Sequence, residues 1–139
     1  MKLSANFSVD EFACHDGQDV PEQYIPYLRH LVVDVLQPIR DQWGSPIVVI
    51  SGWRSAAWNT AVGGAPKSTH LTAQGADIRP VQVESVPLLY AVIEKMYEQG
   101  RLPGLGGIGK YRGWTHVDTR RSTDGHLRRW AGKGVGSER

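Results

Sequence analysis

The chain has 139 residues, enough for one domain with a core of its own and too few for two comfortable ones. At 40% hydrophobic, 22% charged and 9% aromatic residues it has an ordinary globular composition, which excludes a chain too polar to offset its ordering entropy. A net charge of +2 does not by itself imply a nucleic-acid or membrane-surface partner, and the single Cys14 excludes both an intrachain disulfide and a cysteine-rich zinc site.

The N-terminus, M-K-L-S-A-N-F-S-V-D, has no apolar run long enough for a signal peptide, so synthesis in the cytoplasm is expected, and no transmembrane stretch follows. Ser8 with Glu11 three residues later predicts a short capped helix ending near Phe12. Leu28, Leu31, Val32, Val35, Leu36 and Ile39 recur at three- and four-residue steps and predict a long helix over 26–43, with a kink or an early end at Pro38. The β-branched run I-V-V-I-S (47–51) predicts a buried strand, and 55–62 a short helix. A second strand is expected at 76–79, just after Gly75, and a second long helix at 84–99. Residues 105–110 and 114–119 read as two more strands, plausible as a hairpin around Y-R-G. The last segment, 122–139, reads as a loosely ordered basic tail rich in Gly and Arg. The expected fold is therefore α+β: one domain over 1–121, with a small, mostly antiparallel sheet packed against two main helices.

Most of the five histidines have bland explanations: His30 lies beside the apolar stripe, and His15 and His126 lie in polar loops. The stretch S-T-H-L-T-A-Q-G-A-D, however, holds His70 and Asp77, and W-T-H-V-D-T holds His116 and Asp118 on one face of an expected strand. Two separated His/Asp pairs in a small domain suggest a metal site. Catalytic zinc takes three protein ligands and keeps a fourth position for water, and two imidazoles with a carboxylate suit it well. Gly75 fits a backbone pressed close to a metal.

S-G-W-R-S, then A-V-G-G-A-P-K-S-T-H-L-T-A-Q-G-A-D-I, then H-V-D together resemble the zinc D-alanyl-D-alanine carboxypeptidase family, whose metal site and fold are shared with the Hedgehog signalling domain. The resemblance runs from N-F-S-V-D-E-F to H-V-D-T-R, and the short variant it resembles is common among phage and prophage cell-wall enzymes. It implies His70, Asp77 and His116 as zinc ligands, and Arg54 and Ser68 as residues that bind or line the substrate. It also implies metal-assisted hydrolysis, with a base that takes a proton from the attacking water. Relatives often carry that base as a carboxylate three residues before the last His ligand, or as a His two before it. Here those positions are Gly113 and Trp114, which leaves Asp118 as the candidate, either as base or as a partner that orients His116. His126 is a further candidate if the tail folds back.

The reading that follows is a zinc peptidase cutting peptidoglycan stem peptides at a D-alanine bond, as a D,D-carboxypeptidase or an endolysin-like endopeptidase. It is expected to act as a monomer at the cell wall or periplasm, after a phage-type release. Trp53 and Trp114 flank the site residues and are expected in the wall of its groove. The alternative from another class is a zinc-stabilised wall-binding module without turnover. A nucleic-acid partner is not expected, because the folded part lacks interleaved aromatic and basic residues.

Overall fold

Four of the five strands follow from the patterns above. In the computed structural model, which describes residues 1–132, the run Ile47–Ser51 forms β1 and pairs antiparallel with β2 (Gly75–Pro80). β3 (Gly107–Lys110) and β4 (Thr115–Asp118) form the expected hairpin, closed by a 3.2 Å bond from the Tyr111 N–H to the Trp114 carbonyl. β4 also pairs antiparallel with β2. A fifth strand, β5 (Arg128–Ala131), lies parallel to β3, and the sheet order is β1-β2-β4-β3-β5.

The expectation of a loosely ordered tail after Arg121 fails at β5. Side chains on both faces of this strand have partners, which is why it holds. On one face the Arg129 guanidinium bonds both oxygens of Glu94 at 2.9–3.2 Å. On the other, Arg128 and Trp130 reach across the glycines of β3. The rest of the expected tail, 133–139, lies outside the described residues.

The long helix runs unbroken through Pro38, in three stretches: α1 (Ile25–Leu31), a π-helical turn (Val32–Leu36) and α2 (Gln37–Trp43). The early end expected at Pro38 does not occur. The π turn widens the helix just before the proline, with the Gln37 N–H reaching back to the Val32 carbonyl, and this absorbs the N–H that proline lacks. α3 (Ala56–Ala61) is capped by Ser55, whose hydroxyl accepts from the Trp58 N–H at 3.2 Å. α4 (Val86–Glu98) is the second long helix.

The apolar stripe of the long helix meets Leu89, Ile93 and Met96 of α4 and Ala76, Ile78, Ile108 and Val117 of the sheet in one core. Strand side chains alternate, so Asp77, His116 and Asp118 fall on the face opposite Ile78 and Val117. The helices thus cover one face of the sheet, and the other is left for chemistry. No helix among the described residues is long and apolar enough to cross a membrane.

Among the described residues, the Thr115 hydroxyl is a buried side-chain polar atom with no hydrogen-bond partner. Thr115→Val removes that desolvated group at nearly constant volume. It is expected to raise stability by about 1 kcal/mol, read as a higher urea midpoint at unchanged slope.

Candidate metal centre

The pairing of β2 with β4 puts Asp77 directly opposite His116, with both side chains on the open face. His70 arrives from the 3₁₀ turn Thr69–Thr72, whose first N–H groups are met by the Ser68 hydroxyl, which accepts from the His70 N–H at 3.1 Å. That turn is stitched to the end of β1. The Arg54 N–H donates to the His70 carbonyl at 3.0 Å, and the Trp53 indole donates to the Leu71 carbonyl at 3.0 Å. Trp53 is therefore a core residue, 6% exposed, and not the groove wall expected of it. Its indole N–H finds a partner in the backbone of the Thr69–Thr72 turn, which keeps the buried ring's polar atom satisfied. Gly75 opens β2 where there is no room for a side chain: a Cβ would lie 2.2 Å from Thr69 Oγ1 and 3.0 Å from His116 Cε1.

One nitrogen of each imidazole is committed away from the centre. His70 Nδ1 lies 2.7 Å from the Gly52 carbonyl, which can only accept, so the ring carries a proton there and Nε2 is the nitrogen that faces the centre. That Nε2 is 3.3 Å from Asp77 Oδ1. His116 lies the other way round: Nε2 is 2.8 Å from Asp118 Oδ2, and Nδ1 is 2.9 Å from the same Asp77 oxygen. Burial works against charge on both partners, yet the bonds between them win. His116 is held above the usual histidine range against its desolvation, by Asp118 and then Asp77. Asp77 is held below the usual carboxylate range against its own burial, by His116 and then His70. The Arg54 guanidinium stands 3.5 Å from the second Asp77 oxygen.

These three side chains can hold a metal ion: one ligand atom from each lies within 4.8 Å of the others, and all three residues are buried. The donor set fits a divalent cation of zinc type, with two imidazole nitrogens and one carboxylate. His116 Nδ1 and Asp77 Oδ1 face each other at 2.9 Å, so binding a cation between them would release the proton of that bond. The outer nitrogens already have acceptors, the arrangement that orients ligating histidines.

The centre lies at the floor of a cavity of about 420 Å³, which Arg54, Ser68, Trp114 and Asp118 also line. Arg54 uses Nε on Ser51 (3.3 Å) and one amino group each on Asn59 (3.2 Å) and Asp77 (3.5 Å). Asp118 is fully buried, with one oxygen on His116 and the other on the Arg128 guanidinium and the Arg120 N–H. His126 is exposed and does not line the cavity. Its place in the turn before β5 sends Arg128 and Trp130 to the site instead.

Those two residues are what sequence reasoning missed. The signal was present as a pair of alternations: G-I-G at 107–109 leaves one face of β3 bare, and R-R-W at 128–130 supplies two large side chains at the same spacing. The registers Gly107↔Arg128 and Gly109↔Trp130 match them. Tyr111 and Trp114 stack at 4.8 Å, and Trp130 donates its indole N–H to the Tyr111 hydroxyl at 2.8 Å, making one aromatic wall.

The family described as Peptidase M15 matches residues 5–118. No curated protein matches the chain.

Gly75→Ala is expected to weaken divalent-cation binding roughly tenfold or more by displacing Thr69 and His116. Gly113→Ala, where a Cβ meets nothing within 4 Å, serves as the control and should leave binding unchanged. Isothermal calorimetry on both variants checks this.

Proposed function

The chain belongs to the peptidase M15 family, whose members are metal-dependent peptidases, and on that footing we propose that it is a zinc peptidase hydrolysing peptidoglycan stem peptides at a D-alanine bond. The observation that carries the reading is the His70–Asp77–His116 group at the floor of an open cavity. His70 Nε2, Asp77 and His116 Nδ1 would hold the ion. Zinc, when bound, supplies a water whose pKa falls to about 7 and polarises the scissile carbonyl.

The remaining roles fall to the chain itself. Three of the five Arg54 N–H donors are engaged within the protein, which leaves two for a substrate carboxylate while the cation keeps Asp77 ionised. Ser68 caps the ligand turn and lines the substrate cavity beside it. For Asp118 the geometry favours orientation over proton transfer, because both of its oxygens are committed and it has no exposed surface. It holds His116 with Nδ1 turned inward.

A second hollow of about 220 Å³, walled by Ile50, Trp58 and Val62, borders the cavity at Arg54, Asp77 and Trp114. That supports an endopeptidase acting within cross-links over an enzyme confined to terminal residues. The protein would work as a monomer at the cell wall or periplasm, reached by phage-type release.

One observation favours the alternative, a zinc-stabilised wall-binding module. Among the described residues lining the cavity, every carboxylate and imidazole is already tied into the centre. Turnover on purified muropeptides separates the two readings. The peptidase should cleave cross-linked dimers, lose activity to a chelator and regain it with Zn²⁺. Intact muropeptides in the presence of bound zinc would establish the binding module.

Asp118→Asn distinguishes orientation from base catalysis. An orienting role lowers zinc affinity about 10- to 100-fold and leaves much of kcat at saturating zinc. A base role would instead remove about 10²- to 10⁴-fold of kcat with the metal fully bound.

A further inference from the structure

Strand β5 brings two side chains over β3 onto the centre. Opposite Asp118 and His116 on β4 stand Gly107 and Gly109 of β3, and opposite those glycines stand Arg128 and Trp130 of β5. Because the glycines carry no side chains, Arg128 crosses β3 to reach the Asp118 carboxylate, and Trp130 brings its ring to 5.2 Å from the His116 ring. A Cβ on Gly107 would lie 2.5 Å from the Arg128 amino group and 2.7 Å from Asp118 Oδ2, and one on Gly109 would lie 2.6 Å from the Trp130 indole nitrogen.

Arg128 is fixed at several points. Besides Asp118, it donates from Nε (3.2 Å) and from an amino group (3.0 Å) to the Arg120 carbonyl, and it lies 5.4 Å from the centre of the Trp130 ring. A carboxylate with no exposed surface needs such a partner, since an unpaired buried charge is strongly unfavourable. The Asp118 oxygen that Arg128 leaves free is the one bonded to His116 Nε2.

We propose that Arg128 is a positioning residue for the metal centre: it fixes the Asp118 carboxylate, which in turn holds His116 with Nδ1 facing Asp77. The site is then incomplete without β5, although the family match ends at residue 118. This inference rests on the metal-centre reading of the preceding subsection.

The test uses the full-length chain with Zn²⁺ as probe, comparing wild type, Arg128→Gln, Arg128→Lys and Arg129→Gln. Arg129 sits on the same strand but bonds Glu94 on the other face, so Arg129→Gln reports the cost of loosening β5 alone. Chelator competition gives zinc affinity, urea denaturation of the metal-free protein gives stability, and imidazole NMR follows the His116 Nε2–H proton. Arg128→Gln is expected to bind zinc roughly 10- to 100-fold more weakly, with faster exchange of that proton. Arg128→Lys should fall several-fold short of wild type, because a point charge cannot reproduce the guanidinium fork. Arg129→Gln should lose stability and keep its zinc affinity.

Zinc affinity within twofold of wild type in both Arg128 variants, with an unchanged His116 signal, would overturn the proposal and reduce the ion pair to a strand fastening. If Arg128→Gln does not fold, wild-type affinity in Arg128→Lys overturns it alone. A wild type that binds no zinc would sink the metal-centre reading itself. A wild type that binds zinc but cleaves nothing would sink only the peptidase reading and leave this comparison intact.

Discussion

Everything at this site depends on one cross-strand pair, Asp77 against His116 on neighbouring antiparallel strands. Antiparallel pairing fixes such partners on the same face at close range, and a slip of either strand by one residue would turn its member of the pair towards the apolar core. The register is held by what lies on the other face. Ala76, Ile78 and Val117 are buried against the helices, so the hydrophobic pattern that folds the domain also places the two polar side chains. His70 then needs only a short turn, fastened to the end of β1, to complete the set.

Collecting charged groups on a largely desolvated face is unfavourable unless each has a partner. The arrangement meets this with two arginines from opposite sides. Arg54, beyond β1, stands against Asp77, and Arg128, from β5, stands against Asp118. Between them His116 bridges both carboxylates, and its pKa is held high despite burial. The result is a centre whose outer contacts are satisfied before any ion arrives, which limits the reorganisation that binding requires. The same contacts account for the scarcity of free acids and bases in the cavity.

Much of this was legible in the sequence because it rests on local patterns. Helical spacing marked both long helices, β-branched and small-residue runs marked four strands, and the two His/Asp pairs marked the site. The π turn before Pro38 was not legible, since a proline inside a helical pattern reads equally well as a kink or an early end. Trp53 was misplaced because adjacency in sequence to Arg54 says nothing about which way an indole turns; its N–H found the Leu71 carbonyl. Strand β5 was missed for a different reason. Its polar composition reads as tail, and its stability comes from long-range partners, Glu94 on one face and Asp118 on the other. The roles of Asp118 were balanced in the sequence, and its partner Arg128, ten positions away, is one that no local motif joins to it.

The most direct test of the central claim, that His70, Asp77 and His116 form one metal centre, is a crystal structure of the zinc-loaded protein with anomalous data at the zinc edge. The expected result is a single strong peak bound by His70 Nε2, the Asp77 carboxylate and His116 Nδ1, with His116 Nε2 still on Asp118. A peak elsewhere, or zinc on His116 Nε2 with Asp118 pushed aside, would contradict the account.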